Sequence, residues 1–390
     1  MKNNFYVLMS TVSFCLIGIN LLSYSATQNH IISELNFTIV ESAFIVSSFF
    51  LAYSLTQVLG GVLSDRFGGE NVVCFATSAT TVLILLFSQI QSFESTLILR
   101  ILIGVMCGLI LPGCVRVINY HLRGQNTDVA NGFFAAGWGV AQVVMFYFIP
   151  YITNNFDWRN ALIVVGIISL GIAIYNWILK LRTKDSSKPI TDNKKVGRKY
   201  KLRDLISFKL MMIISINATG IFVPVSVLTW FPLYLNEIFG LSIYESLQIL
   251  STIGITTIIS CMLCGVISKR IGQTKVICIS MTGTAIILCL LLYPINFYYV
   301  TILLLLLGFF AIFYIAPLLS LIPTATKLGK TNPGLTFGIT NTSCNFIAFF
   351  PPLVMGIIIQ TYQDIMLSLM SLILFTLMGV ISSIVILLRK

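Results

Sequence analysis

Charged residues are scarce in this chain, and their scarcity excludes several kinds of protein. They make up 9% of the 390 residues, with 13 acidic residues and two histidines. No nucleotide-binding glycine loop, metal-ligand cluster or pairing of a nucleophile with a base stands out. No acidic side chain lies deep within an apolar run; those closest to the runs sit near their ends, at Glu34, Glu41, Glu94, Asp157, Glu237, Glu245 and Asp364. We therefore expect neither an enzyme nor an ATP-driven pump.

The nine cysteines offer neither a disulfide framework nor a metal site. All of them lie in apolar segments, where thiols usually behave as small hydrophobic side chains. Cys261 and Cys264 form a CxxC pair, but no further ligand accompanies them. We therefore expect no bound metal and no cofactor.

Apolar sequence, in contrast, is abundant: 57% of the residues are hydrophobic and the mean hydropathy is +0.95. About 20 apolar residues in a helix cross a hydrocarbon layer about 30 Å thick, and a helix satisfies its own backbone there. We predict an all-α integral membrane protein with twelve transmembrane helices, at about 5–28, 40–62, 71–91, 95–118, 131–154, 159–181, 209–236, 245–268, 275–293, 297–322, 334–360 and 364–388. The alternative for the first run is a cleaved signal peptide, but the run is long for that role and its removal would leave an odd number of helices.

Basic residues are distributed unevenly between the two sides of the predicted membrane. The chain has 24 lysines and arginines and a net charge of +11. With both termini in the cytoplasm, all of these except Arg100 and Arg159 fall on the cytoplasmic side, as the positive-inside rule requires. The net charge therefore indicates topology and gives no support to nucleic-acid binding. With its compact loops, the chain is expected in a bacterial inner (plasma) membrane.

The longest basic loop divides the apolar runs into six and six. It reads "KLRTKDSSKPITDNKKVGRKYKLRD" at 180–204. We predict an N-terminal six-helix bundle (1–181), a basic cytoplasmic linker (182–208) that can touch anionic lipid, and a C-terminal six-helix bundle (209–390).

A glycine turn recurs in the two predicted bundles. "GGVLSDRFGGENVV" at 60–73 is related to "GVISKRIGQTKVI" at 265–277, and Gly61 and Gly265 are 204 positions apart. An internal repeat of this kind is typical of transporters, whose substrate site lies at the interface of the repeats near mid-membrane. We therefore predict a transporter, with a turn that carries charge in each half.

The first copy of this turn resembles the signature loop of the major facilitator superfamily, G-x-L-a-D-r-x-G-r-k. Gly61, Leu63, Asp65, Arg66 and Gly68 match, whereas Gly69 and Glu70 stand where the family has a basic pair. The second copy departs further, because Lys269 occupies the acidic position. The resemblance implies two six-helix bundles, alternating access and a cytoplasmic gate at Gly61, Asp65, Arg66 and Gly68.

The fourth predicted helix is similar to a narrower branch, the anion:cation symporters. In "RILIGVMCGLILPG" at 100–113, Arg100, Gly104, Gly108 and Pro112 fit the pattern R-x-x-x-G-x-x-E-G-x-x-x-P, while Cys107 replaces its carboxylate. The resemblance implies symport of a small organic anion such as a carboxylate. The alternatives are an exporter of drugs, metabolites or siderophores, or an amino-acid carrier; a sensor or scaffold that transports nothing is a further possibility.

Arg100 is the charged residue that lies within the membrane on this reading. Such residues are costly to insert and usually functional, so we predict that Arg100 attracts the substrate anion. The alternative is that its side chain snorkels to the interface near Glu94.

Polar and aromatic residues within the spans predict the substrate cavity. Asn341 and Asn345 are one helical turn apart and therefore share a face. The predicted substrate-binding residues are Asn20, Tyr24, Tyr53, Arg100, Trp138, Gln142, Asn217, Trp230, Tyr234, Tyr314, Asn341 and Asn345.

The coupling of transport stays open at this point. A buried carboxylate often carries the coupling proton, and the spans offer none at their centre. H+ or Na+ coupling through Glu41, Glu245, His30 or His121, a titrating substrate, and facilitated diffusion are the alternatives. The expected partners are a small-molecule substrate and the lipid bilayer, and we expect a monomer.

Overall fold

Twelve long helices form the described part of the protein, as the apolar runs predict. The computed structural model describes residues 2–122, 127–182, 207–322 and 333–388. Within these ranges, twelve helices are long and apolar enough to cross a membrane, and the predicted all-α membrane fold is confirmed. We name them α1 Lys2–Leu35, α2 Ile39–Phe67, α3 Gly69–Phe87, α4 Phe93–Leu122, α5 Thr127–Asn155, α6 Trp158–Arg182, α7 Phe208–Phe239, α8 Ile243–Ile271, α9 Gln273–Leu290, α10 Phe297–Leu321, α11 Pro333–Tyr362 and α12 Ile365–Leu388.

Three of the helices are interrupted near their middle. A π-helical turn, Val144–Phe148, lies in α5 just before Pro150, which cannot donate a backbone hydrogen bond and crowds the carbonyl one turn earlier. Helix α10 breaks between Ile312 and Ile315, and α11 breaks at Phe349, just before a pair of prolines. Such breaks are tolerated in a membrane where neighbouring helices protect the backbone.

The 204-residue repeat extends well beyond the glycine turn. Helices α2 and α8 both begin with a capping box, formed by Thr38 and Glu41 in one and by Ser242 and Glu245 in the other. Both helices end at a glycine with positive φ, Gly68 at 88° and Gly272 at 99°. The spacing is 204 in each case, so the two helices are built to the same plan.

Equivalent side chains also attach α2 to α4 and α8 to α10. Thr56 Oγ1 donates to the Val105 carbonyl at 3.2 Å, and Ser260 Oγ donates to the Phe309 carbonyl at 2.7 Å. All four of these residues keep the 204 spacing. The structure therefore repeats the same helix pairing in each half.

The two halves meet along two seams. Helix α5 packs against α8 around Gly139 and Gly254, while α2 packs against α11, where Ser54 Oγ donates to the Thr342 carbonyl at 2.5 Å. The predicted linker 182–208 lies between the end of α6 and the start of α7, and its residues 183–206 lie outside the described ranges. We call the side with the start of α1 and the end of α12 the terminal face, and the other side the opposite face.

Candidate functional site: a cavity between the two halves

A cavity of about 130 Å3 lies between the halves. Its walls come from α1, α2, α4 and α5 of the first half and from α7, α10 and α11 of the second. None of the residues found to line it is charged; they are Phe14, Ile17, Leu21, Phe50, Tyr53, Leu111, Phe134, Ala135, Trp138, Asn217, Gly220, Ile221, Pro224, Ile312, Tyr314, Ile315, Leu319, Asn341 and Asn345. An apolar cavity with a few convergent polar groups is the usual form of a small-molecule site.

Six of the twelve predicted substrate-binding residues line this cavity. A seventh, Gln142, lines a small adjoining pocket that shares Trp138 with it. The other five lie elsewhere. The six are Tyr53, Trp138, Asn217, Tyr314, Asn341 and Asn345.

The polar residues of the cavity form a chain of hydrogen bonds. The Tyr314 hydroxyl donates to Asn217 Oδ1 at 3.1 Å, and Asn217 Nδ2 donates to Cys344 Sγ at 3.0 Å. The Cys344 thiol donates to the Asn341 carbonyl at 3.1 Å, and Asn341 Nδ2 donates to Gln57 Oε1 across the seam. The cavity wall is therefore joined directly to the first half of the molecule.

Gly220 makes room for this arrangement. A Cβ atom at position 220 would overlap the ring of Tyr314. The absence of a side chain lets α7 approach α10 closely enough for the Tyr314 hydroxyl to reach Asn217.

Arg100, on α4, is completely buried within the first half. It lies behind α1, the helix whose residue Leu21 lines the cavity. Its Nη1 donates to the Asn20 carbonyl at 2.7 Å and its Nη2 to the Leu21 carbonyl at 3.1 Å. The guanidinium also lies 4.9 Å from the centre of the Phe49 ring. The described contacts give it no acidic partner, and its zero exposure makes the snorkelling alternative wrong.

This burial places an uncompensated positive charge behind one wall of the cavity. Arginine stays protonated in proteins, and a charge acts more strongly in a medium of low dielectric constant than in water. Leu21, whose carbonyl accepts from Arg100, itself lines the cavity. The positive charge of Arg100 therefore lies next to the backbone that forms that end of the cavity.

Three of the four remaining predicted residues bond another helix, and the fourth, Asn20, bonds within its own helix. The Tyr24 hydroxyl donates to Ser42 Oγ at 3.0 Å, and Asn20 Nδ2 donates within its own helix to the Leu16 carbonyl. Trp230 Nε1 donates to the Pro352 carbonyl at 3.0 Å, and the Tyr234 hydroxyl donates to the Leu291 carbonyl at 2.6 Å. Neither Trp230 nor Tyr234 is among the residues that line the cavity.

On the opposite face, α1 is bonded to α7 across the boundary of the halves. Gln28 Nε2 donates to the Thr229 carbonyl at 2.8 Å, and Ser25 Oγ lies 3.2 Å from Thr229 Oγ1. The cavity itself reaches Phe134 and Leu319, which lie within two turns of the terminal ends of α5 and α10. The cavity is thus displaced toward the terminal face.

The predicted gate turn lies on the terminal face between α2 and α3. Gly68 has the positive φ that closes α2, Arg66 is exposed, and a side chain at Gly61 would meet open space. The side chain of Asp65 lies outside the described part of the structure. The assignment of this turn as a gate therefore stays a prediction.

Close to this turn, the first half contains a buried acid. Glu70 Oε1 lies 2.7 Å from His121 Nε2, and the His121 ring stacks on Tyr6 with 3.4 Å between ring centres. This pair joins α3 to α4. Glu70 occupies the position at which the family motif has a basic residue. Sequence reasoning treated His121 as an isolated residue because its partner is 51 positions away.

Glu41 and Glu245, two candidates for ion coupling, are occupied at helix starts. Glu41 Oε2 accepts from the Thr38 backbone N–H at 2.8 Å, and Glu245 Oε2 accepts from the Ser242 backbone N–H at 2.9 Å. Both carboxylates are partly or fully solvent-exposed. Both glutamates therefore have a structural role as capping residues, and this role does not require that they take part in transport.

Sequence reasoning missed the apolar wall of the cavity. The predicted cavity residues were chosen because they are polar or aromatic within the spans, and they do not include Phe14, Ile17 and Leu21. These residues are three and four positions apart and therefore share one face of α1. That spacing indicates a shared helix face, but every buried helix face shows the same spacing, so it does not identify the face that lines the cavity.

Residues 8–352 match the sequence profile described as the Major Facilitator Superfamily. The chain belongs to the Major Facilitator Superfamily.

Several curated major facilitator proteins are similar in sequence. The probable galactarate/D-glucarate transporter GudP of Escherichia coli is 24% identical over 367 residues, which cover 83% of this chain and 79% of that protein. GudP of Bacillus subtilis is 25% identical, with 57% of this chain and 55% of that protein covered. The probable anion transporter 4, chloroplastic, of rice is 27% identical, with 62% and 43% covered. The match thus spans about half the length of the last two relatives.

Solved structures of transporters share the major facilitator fold of this chain. The nucleoside transporter NupG superposes with a TM-score of 0.73 at 12% identity, over 99% of this chain and 98% of that one. A bacterial homologue of the human lysosomal transporter Spinster gives 0.72 at 12% identity, over 98% and 96%. At this level of identity the likeness concerns the fold alone.

Proposed function

We propose that this major facilitator protein carries a small organic anion, with a carboxylate as the charged group, across a bacterial inner membrane. The observation that carries the proposal is Arg100, a fully buried cation with no acidic partner among the described residues, bonded to the backbone of a helix that lines the cavity. The anion transporters and galactarate/glucarate transporters among its relatives support this proposal.

Transport would proceed by alternating access, with the two six-helix bundles rocking about the cavity. The bonds of Gln28 and Ser25 to Thr229 on the opposite face, with the cavity displaced toward the terminal face, support a state that opens on the terminal side. The distribution of basic residues identifies that side as the cytoplasm, with both termini there. Gly61, Asp65, Arg66 and Gly68 would form the gate on this side.

We include symport with H+ or Na+ in the proposal. The capping boxes of Glu41 and Glu245 leave the buried pair of Glu70 and His121 as the better place for a coupling proton, because Glu70 Oε1 and His121 Nε2 lie 2.7 Å apart and can share one. Beyond a coupling ion we expect no cofactor.

The test is uptake by the full-length protein reconstituted in vesicles. Labelled benzoate, hexanoate and glucarate would be compared with their uncharged amides, in the wild type, Arg100→Gln and Arg159→Gln. Arg159 is a matched control because it pairs with Glu34 in a partly exposed site far from the cavity. We expect at least one carboxylate to enter by a saturable route, a loss of at least tenfold in Arg100→Gln and little change in Arg159→Gln. Equal transport by all three proteins, or uptake of amides alone, would overturn the proposal.

A further inference from the structure

The two walls of the cavity differ in chemistry. The wall from the first half consists of apolar and aromatic residues, and its only polar side-chain atoms are the Tyr53 hydroxyl and the Trp138 indole N–H. The three asparagines, Asn217, Asn341 and Asn345, all lie on the wall from the second half. A solute in this cavity therefore meets hydrocarbon on one side and amides on the other.

The apolar wall is built around stacked rings. Phe14 and Phe134 stack with 4.5 Å between ring centres, and Trp138 lies 6.2 Å from Phe14. Phe14 and Trp138 are partly exposed where they border the cavity. Aromatic faces of this kind bind another ring by stacking or by edge-to-face contact.

The amide wall has little hydrogen-bonding capacity to spare. Asn217 is occupied by Tyr314 and Cys344, Asn341 Nδ2 by Gln57, and Asn345 Nδ2 by the Asn341 carbonyl. A sugar acid that enters must lose water from every hydroxyl, and each hydroxyl left without a partner lowers its affinity. Each asparagine Nδ2 carries two hydrogens and uses one in these bonds, so the remaining N–H groups suffice for one carboxylate but not for a chain of hydroxyls.

The volume fits the same kind of solute. An apolar protein cavity of about 150 Å3 accepts benzene, and this cavity measures about 130 Å3. The apolar body of a solute that fits is therefore no larger than a single six-membered ring or a short alkyl chain.

We infer, on the basis of the proposed anion transport, that the solute is a monocarboxylate with an apolar body, best an aromatic ring, and not a polyhydroxylated sugar acid. The ring packs against Phe14, Phe134 and Trp138, and the carboxylate lies between the asparagines and the end of the cavity at Leu21, where Arg100 bonds the backbone. The substrate class thus differs from that named for the galactarate/D-glucarate relatives.

Binding to the purified full-length protein distinguishes the alternatives. The probes are benzoate, its uncharged analogue benzamide, hexanoate and glucarate, and the readouts are the shift in melting temperature and the quenching of tryptophan fluorescence. A ligand that binds only the folded state stabilises it by RT ln(1 + L/Kd), with L the free ligand concentration, so a tighter ligand at the same concentration raises the melting temperature more. We expect benzoate to bind at least tenfold more tightly than glucarate and more tightly than benzamide.

Each other outcome has a separate meaning. Tighter binding of glucarate than of benzoate overturns the inference and leaves the anion transporter intact. Equal binding of benzamide and benzoate supports the apolar body and overturns the proposed anion function. Absence of binding by both aromatic compounds and by hexanoate overturns the inference, and the uptake experiment then decides the proposed function by itself.

A pair of adjacent phenylalanines provides a matched mutation. Phe134 is 6% exposed and lines the cavity, whereas its neighbour Phe133 is 53% exposed. Phe134→Leu should weaken benzoate binding by about tenfold, the upper end for one aromatic contact, and leave hexanoate binding nearly unchanged. Phe133→Leu should change neither. If Phe134→Leu fails to fold, Phe14→Leu tests the same stack, and benzoate binding undiminished in a folded variant overturns the inference.

Discussion

Gly139 and Gly254 meet so closely that a Cβ atom built on either would lie 2.7 Å from the carbonyl oxygen of the other. Gly139 belongs to α5 of the first half and Gly254 to α8 of the second. The backbones of the two halves therefore touch directly, which small residues allow in membrane helices. This seam can slide or tilt only as long as both positions lack a side chain.

We expect Gly139→Ala to lower the free energy of unfolding by about 1–3 kcal/mol, the usual cost of overpacking. The measurement is the melting temperature of the purified protein in detergent. Gly171→Ala and Gly265→Ala are controls, because a Cβ there meets nothing within 4 Å. Equal melting temperatures for all three variants would contradict the close contact.

The bond from Gln28 to the Thr229 carbonyl joins α1 to α7 on the opposite face, and we propose that it helps to keep this face closed. Gln28→Leu removes one hydrogen bond, worth about 1 kcal/mol, and should raise the population open to that face about fivefold. The measurement is the labelling rate of a cysteine placed at Ser226, which is fully buried on α7, read by peptide mass spectrometry. Gln89→Leu is the control, since the Gln89 side chain donates to the hydroxyl of its neighbour Ser88 within the first half. An unchanged labelling rate would mean that other contacts close this face.

The capping boxes predict how Glu41 responds to mutation. Glutamine can replace glutamate in a capping box, so Glu41→Gln should leave both stability and transport nearly unchanged. Glu41→Ala should lower stability by about 0.5–2 kcal/mol, as loss of a cap does, while transport per folded molecule persists. Loss of uptake in the stable Glu41→Gln protein would instead assign ion coupling to this carboxylate.

The pair of Glu70 and His121 should stabilise the terminal end of the first half. Glu70→Lys restores the charge that the family motif has at this position, but here it places a cation against His121 in a buried site. We expect a loss of about 3 kcal/mol, because an unpaired buried charge is left behind, with partial recovery in Glu70→Lys/His121→Glu. Glu237→Lys, at an exposed position, should change stability by less than about 0.5 kcal/mol. No recovery in the double variant would show that the pair acts through other contacts.

The helices and their repeat could be predicted from the sequence because both are properties of single segments. Apolar length decides which runs cross the membrane, and the turn at Gly61 is visible beside that at Gly265. Which side of each helix lines the cavity could not be predicted in this way. Tyr234 and Tyr314 look equivalent in the sequence, yet the first bonds a carbonyl near the opposite face and the second lines the cavity.

Pairs that are distant in the chain were also beyond sequence reasoning. Arg100 was identified as unusual, but its partners are backbone carbonyls, which every residue has and no pattern marks. Glu70 was noted only as a departure from the family motif, and nothing in its neighbourhood points to His121.

The difference between the two walls of the cavity determines the orientation in which a solute binds. Repeats related by an axis along the membrane normal would, if identical, offer a solute two poses related by a half-turn. Here the position 204 residues after Arg100 is Leu304, and the three asparagines lie on the side opposite Phe14, Phe134 and Trp138. A solute with two different ends therefore has one preferred orientation in the cavity, and on the proposed mechanism it binds in that orientation in every cycle.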